Sequence, residues 1–429
     1  MTAPLSLHDI AQRLQGYDPQ ALSASHVRQF LAELVQPVHE TETVPILQAL
    51  DRIVATDVIS PISVPPHDNS AMDGFAFRGD ALSLEQTTRF RVVGTALAGT
   101  AWAGQVQAGE CVRIMTGAIM PTGLDTVAPQ ELVKMDGDDH IAVPAGLLQS
   151  GDNRRLLGED LMAGQPALAA GSRLSPAACG MLASLGLAEV TVVRRPRVAY
   201  FSTGDEILSS GEAPREGAVY DSNRYTVHGM LQHLGCEVID LGVVKDDPAA
   251  LEAAFREAAA QADAIITSGG VSVGEADHTK AMMKKLGDVA FWRIAMRPGR
   301  PMAVGRIQQG DRAALLFGLP GNPVAVMVTF AAFVRPALQQ LMGWQAPDQP
   351  LLKARAQEGM RKKPGRTEYQ RGIVRMAEDG QLSVRITGNQ GSGVLSSMVQ
   401  ANGLIVLDHT QGDVAPGDWV DVMMFDGQL

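Results

Sequence analysis

The chain has 429 residues, 45% apolar and 19% charged, which excludes a largely disordered protein and suggests about three domains at roughly 150 residues each. Its net charge of −11 argues against a general binder of nucleic acid or anionic membranes, so an anionic ligand needs a local basic site. Three widely spaced cysteines (Cys111, Cys179, Cys236) form no CxxC pair or zinc pattern, and a disulfide framework is not expected. The longest apolar run, at 324–334, is shorter than the ~20 residues that span a bilayer, and the N-terminus lacks a basic segment followed by an apolar core. A cytoplasmic protein without a membrane span is expected.

Residues 1–21 form an N-terminal extension with Leu7, Ile10 and Leu14 at helical spacing, and 22–40 is expected as a helical segment against a later α/β domain. Between 60 and 162 the pattern is short alternating runs (90–93, 110–114, 140–143) with frequent glycine, an inserted β-rich domain. Its borders, 41–59 and 163–195, are expected to pair in space as a linker domain.

From 196 to 348 the periodicities alternate as an α/β sheet requires. A strand at 198–202 exits into TGDE. Val227, Met230, Leu231 and Leu234 mark a helix stopped by Gly235. A second strand at 237–243 precedes Asp247-Pro248, an N-cap with proline at the first helical position. A third at 264–268 runs into a glycine loop and a helix through Met283 and Leu286; a fourth at 313–317 leads to GLPGNP and a long apolar helix. Finally, 349–429 holds at least five short strands, enough for a compact barrel. The fold class is therefore α/β multidomain: a doubly wound α/β central domain, β-rich flanking modules and a C-terminal β-barrel-like domain.

Three acidic residues follow three successive strands: Glu206, Asp246 and Asp277. Ligands of open α/β sheets bind at the carboxyl ends of strands, where converging carboxylates suit a hard cation such as Mg2+; caps and surface positions are the alternative. The loop at 268–274, with Ser268, Gly269, Gly270, Ser272 and Gly274, has the strand-to-helix setting that favours phosphate. Its spacing is neither GxGxxG nor GxxxxGK[ST], which disfavours dinucleotide and P-loop readings. Pro320, Asn322 and Pro323 stiffen a second loop at the same edge, where Asn322 either caps the next helix or meets ligand. Arg293, Arg297, Arg300 and Arg306 occur with no intervening acid, two of them in the MRPGRP turn at 296–301, and a second basic cluster includes Arg366 and Arg371. Arginine's fork of donors matches tetrahedral oxyanions.

Seven ordered strings carry a resemblance: DNSAMDG (68–74), RIMTG (113–117), GED (158–160), FSTGDE (201–206), SGGVSVGEAD (268–277), GLPGNP (318–323) and YQRG (369–372). Together they resemble the molybdopterin molybdenumtransferase family, which includes the C-terminal enzyme domain of gephyrin. The resemblance implies Mg2+-dependent insertion of molybdenum from molybdate into adenylylated molybdopterin, with release of AMP, by a homodimer that also meets other enzymes of molybdenum cofactor synthesis. It places Glu206, Asp246 and Asp277 near the metal and pyrophosphate. It places Asp73 and Thr116 at functional positions facing the partner protomer and gives 41–59 with 163–195 a dimerisation role; apart from the resemblance, Arg366, Arg371 and Ser392 are the alternative oxyanion site should Arg297 and Arg300 grip the phosphate end. Arg293, Arg297 and Arg300 stand where many members have lysine. The competing readings are a molybdopterin adenylyltransferase, which needs only the central domain, and a scaffold using the same fold.

Overall fold

Alternation within single strands explains the central layers. In the computed structural model, which describes residues 5–271, 278–347 and 349–425, strand β1 (Arg197–Thr203) turns Val198 and Tyr200 into one apolar core and Ala199 and Phe201 into another. The other strands of this sheet are β2 (Glu237–Val244), β3 (Ala264–Ser268), β4 (Gly287–Arg293), β5 (Pro301–Gln309) and β6 (Arg312–Leu319). Their spatial order is β2-β1-β3-β6-β5-β4. The first four pair in parallel, whereas β6, β5 and β4 pair antiparallel.

Helices cover both faces. Pro248–Gln261 and His278–Leu286 pack on one; Ala24–Leu34, Ser222–Leu234 and the continuous helix 323–341 pack on the other. Asp247 caps its helix through bonds from the Ala249 and Ala250 amides, and Gly235 ends another at φ 87°. The segment Pro323–Leu341 has the length and apolarity of a membrane helix, but 78% of it is buried within the protein.

Strands β4 and β5 are absent from the sequence-based expectation. Their flanking arginines mark the region as a basic turn, while their burial depends on a hairpin with β6, a pairing between separate segments. The N-terminal extension forms the helix Leu7–Arg13 with Leu7, Ile10 and Leu14 buried. Arg306, the fourth arginine of the first cluster, is spent on structure: its guanidinium donates to the Leu5 and Leu34 carbonyls at 2.7 and 2.8 Å.

The bordering segments do meet: Thr41–Pro45 pairs antiparallel with Glu189–Val193, and Val58–Ile59 with Pro166–Leu168. Between them lies a six-stranded sheet built around Gly74–Phe77, Thr88–Ala96 and Glu110–Ile114. At the C-terminus, Thr367–Met376, Leu382–Ile386, Leu352–Ala356, Trp419–Met424 and Gly403–Leu407 close a five-stranded barrel, because the first of these also pairs with the last. Met296–Arg297 adds to its edge beside Thr367 and Glu368, which ties the arginine turn of the central domain to the barrel.

Candidate functional site

The carboxyl ends of β1, β3 and β6 open onto a cavity of about 660 Å3 that the barrel roofs. The glycine loop supplies Gly269 and Gly270, and the loop after β6 supplies Pro320, Gly321 and Asn322. The arginine turn brings Arg297 and Arg300, the exit of β1 brings Glu206, and the barrel brings Arg366, Gln390, Gly391 and Ser392. The expected site residues among these converge from distant parts of the chain. Ser272, Gly274 and Asp277 lie outside the described residues.

Two glycines set the cavity floor. Gly269, at φ 91°, donates to the Leu319 carbonyl at 3.2 Å, and a Cβ there would stand 2.5 Å from the Thr203 carbonyl oxygen. Gly204, at φ 141°, leaves room for the Glu206 carboxylate, since a Cβ would lie 2.6 Å from its Oε2. Gly269→Ala combines a left-handed backbone with a backbone clash and is expected to cost roughly 1–3 kcal/mol. Urea unfolding followed at the central domain checks this; an unchanged midpoint would show that the loop relaxes freely.

Other candidates are placed elsewhere. Ser268 is buried in a hydroxyl triangle with Tyr200 (2.7 Å) and Ser202 (3.2 Å), so it sets the end of β3 rather than the cavity wall. Pro323 opens the apolar helix and does not line the cavity. Asn322 occupies the N-cap position, yet its side chain makes no capping bond and the residue lines the cavity instead. Arg371 is buried, donating to Ser397 Oγ (3.0 Å) and the Gly391 carbonyl (2.9 Å); it shapes the barrel loop that carries Ser392. Arg293 leaves the cleft for an adjoining cavity. Asp246 is half-buried outside the lining set, its amide 3.4 Å from an Asp205 carboxylate oxygen.

Charge in the cleft is uneven. Arg366 is paired with the buried Glu368 at 2.7 Å, while among the described residues neither Arg297 nor Arg300 enters an ion pair. Burial, followed by the facing Arg297 charge, pushes Arg371 down to about 10. Excess positive charge thus gathers around Arg297. Among the described residues, no three His, Cys, Asp or Glu side chains form a metal cluster.

Asp73 and Thr116 lie on the inserted domain and do not line the cleft of their own chain. The Thr116 hydroxyl and amide both donate to Asp73 Oδ1 at 2.7 Å, which holds the carboxyl below its ordinary range. Gly117 N–H bonds the Ser70 carbonyl, and Leu157 N–H bonds Asp68 Oδ1 (both 2.8 Å). The strings at 68–74 and 113–117 are therefore bonded together, with Leu157, just before the string at 158–160, joined to the first.

Sequence reasoning missed Asn223, whose Nδ2 donates to the Gly321 carbonyl at 2.8 Å and approaches Ser268 Oγ at 3.4 Å. It also missed Gln390, which receives the Arg371 amide at 2.7 Å. Neither polar residue belongs to a charge pattern; only their three-dimensional neighbours mark them.

Family models match nearly the whole chain. "MoeA N-terminal region (domain I and II)" covers residues 22–186, "Probable molybdopterin binding domain" 199–340, and "MoeA C-terminal region (domain IV)" 353–425. A molybdopterin molybdenumtransferase of Haemophilus influenzae is 42% identical over 95% of this chain and all of the relative. The chain belongs to the molybdopterin molybdenumtransferase family. A member from Nostoc is 36% identical over 90% of this chain and 88% of its own, and Dictyostelium gephyrin is 30% identical over 90% of this chain but 60% of its own. The fold agrees: the molybdopterin biosynthesis moeA protein of Pyrococcus horikoshii superposes with a TM-score of 0.81 at 26% identity, covering 94% of this chain and all of that one. The family resemblance in the seven sequence strings is thus confirmed, as is the α/β multidomain class with its C-terminal barrel.

Proposed function

We propose that this chain is an enzyme of molybdenum cofactor biosynthesis that transfers molybdenum from molybdate to adenylylated molybdopterin, with cleavage of the phosphoanhydride and release of AMP. The observation that carries the reading is the 660 Å3 cleft in which Arg297 and Arg300 face glycine-lined backbone from two strand ends. Phosphate requires backbone approach without side-chain obstruction, and a tetrahedral oxyanion requires fixed cationic donors. The cleft offers both. Its roof comes from the barrel, which a one-domain adenylyltransferase does not need.

Glu206 offers hard carboxylate oxygens in the cleft, with Asp246, at the neighbouring strand end outside the lining, and Asp277 as further candidates. This donor set fits Mg2+, which takes one or two protein carboxylates and completes its shell with phosphate and water. When bound, the cation supplies neutralisation of charge on the anhydride oxygens. The chain's own contribution is orientation. Gly269 and Gly270 admit the phosphates, Arg297 and Arg300 hold molybdate against them, and Ser392 closes the barrel side. No covalent nucleophile is required.

The working unit is a homodimer. Asp73 and Thr116 are exposed, as are Met72, Leu156, Leu157 and Met162, and exposed apolar side chains around a held carboxylate suit a second copy. In that unit Asp73 of one protomer serves the cleft of its partner.

The deciding experiment incubates the purified protein with adenylylated molybdopterin, Mg2+ and molybdate and follows AMP. AMP should appear only with molybdate and Mg2+ both present. Arg297→Ala should raise the molybdate concentration for half-maximal release by about ten- to a hundredfold. Release of pyrophosphate from ATP and molybdopterin, with formation of adenylylated molybdopterin, would instead assign the adenylyltransferase reaction.

A further inference from the structure

The turn that carries Arg297 and Arg300 is held at its ends by the barrel and by its own backbone. Met296–Arg297 pairs with Thr367 and Glu368, the Thr367 amide donates to the Ala295 carbonyl at 2.9 Å, and the Ile294 amide donates to the Arg300 carbonyl at 2.7 Å. The tip is held differently. Gly299, at φ 93°, lies against the helix 323–341, and a Cβ there would collide with Thr329 Oγ1 and stand 3.5 Å from the Ala325 carbonyl oxygen. Pro298, Gly299 and Ala325 all line the large cleft, so this contact lies directly behind its wall.

Thr329 is fully buried, and its hydroxyl finds no hydrogen-bond partner among the described residues. A threonine inside a helix commonly returns its hydroxyl to the carbonyl four residues earlier, here that of Ala325; this one does not. An unpaired buried hydroxyl costs stability that a methyl group in the same place would not. Its platform is rigid. Val328, Phe330 and Phe333 around it are fully buried, and directly after it the helix widens into a π-turn in which the Arg335 amide bonds the Phe330 carbonyl. Such turns are rare and concentrate at functional sites.

An oxygen is smaller than a methyl group, so a hydroxyl lets the Gly299 backbone approach the helix more closely than a valine would. We propose that Thr329 is a positioning residue: its unbonded Oγ1 sets the height of the arginine turn above the helix, and with it the place where Arg297 and Arg300 present their charge to the oxyanion. Thr329 does not line the cleft and acts through Gly299. The inference rests on the proposed function for the identity of that oxyanion, molybdate.

The test is calorimetric titration of the full chain with molybdate, beside the thermal midpoint, for the unaltered protein, Thr329→Val and Thr329→Ser. Valine keeps the branched shape but sets a methyl group under Gly299; serine keeps the oxygen and gives up the methyl. Thr329→Val should bind molybdate about tenfold more weakly, because a small displacement of fixed donors is costly. Its midpoint should be no lower than that of the unaltered protein, since an unpaired hydroxyl is gone and the turn yields rather than the buried helix. Thr329→Ser should show the reverse, an unchanged molybdate affinity with a lowered midpoint from the lost buried methyl. A merely structural Thr329 would move midpoint and affinity together, or leave affinity untouched in both variants. Either result overturns the proposal, as does an unaltered protein that binds no molybdate. Should turnover release no AMP while molybdate binding shows the opposed pattern, the functional reading fails and the positioning role stands. AMP release with undiminished molybdate affinity in Thr329→Val keeps the functional reading and removes the positioning role.

Discussion

Glu206→Gln should lower molybdate-dependent AMP release about a hundredfold or more while leaving the thermal midpoint nearly unchanged. The substitution preserves size and removes one negative charge. Glu206 is exposed and joins the fold through its backbone, where its carbonyl accepts from Val219 N–H at 2.9 Å. A surface change of this type is usually within ±0.5 kcal/mol in stability. Its effect on rate follows from the proposed cation site: a site that takes one or two carboxylates loses much of its affinity when one becomes an amide. Several kcal/mol of charge stabilisation on the anhydride would then be lost, and each 1.36 kcal/mol is tenfold in rate. Raising Mg2+ should recover part of the activity in Glu206→Gln, because a weakened site refills by mass action. Normal turnover with a lowered midpoint would instead assign Glu206 to the fold.

The parts of the structure legible in the sequence are those fixed by local rules. Residues 198–202 and 264–268 alternate or run apolar because both faces of β1 and β3 are covered, and Asp247-Pro248 announces its helix by capping chemistry alone. Acidic and glycine residues at the strand exits were legible because the exits of parallel strands are where a sheet leaves room for ligand. What escaped depends on distant partners. β4 and β5 become strands by hairpin pairing with β6, and the arginines beside them gave a stronger local signal than the strands themselves. Arg371 and Arg297 carry the same charge in the sequence, yet one is buried against carbonyls and the other lines the cleft. Asn322 shows the converse: the sequence allows cap or ligand contact, and the structure places the residue at the N-cap and on the cavity wall without a capping bond.

Asp73→Ala and Glu206→Gln, each nearly inactive alone, should recover activity when mixed under conditions that let subunits exchange. Asp73 lies on the inserted domain and Glu206 at the central cleft, and Asp73 does not line the cleft of its own chain. If each cleft draws Asp73 from the other protomer, a mixed dimer has one doubly altered site and one intact site. Random exchange of equal amounts makes about half the dimers mixed, so about a quarter of wild-type activity should return. The Asp73 carboxylate is held anionic by the Thr116 hydroxyl, then by the Thr116 amide, so in such a shared site it would act as a fixed charge rather than as a proton donor. Thr116→Val should therefore act in the same complementation group as Asp73→Ala: it should be rescued by Glu206→Gln and fail to rescue Asp73→Ala. The pairing distinguishes a shared site from a merely damaged fold, because two fold defects would not know which protomer carries which substitution. Exchange demonstrated by differently tagged subunits, with activity remaining at the level of the separate variants, would confine each site to a single chain and leave Asp73 without a role in the reaction.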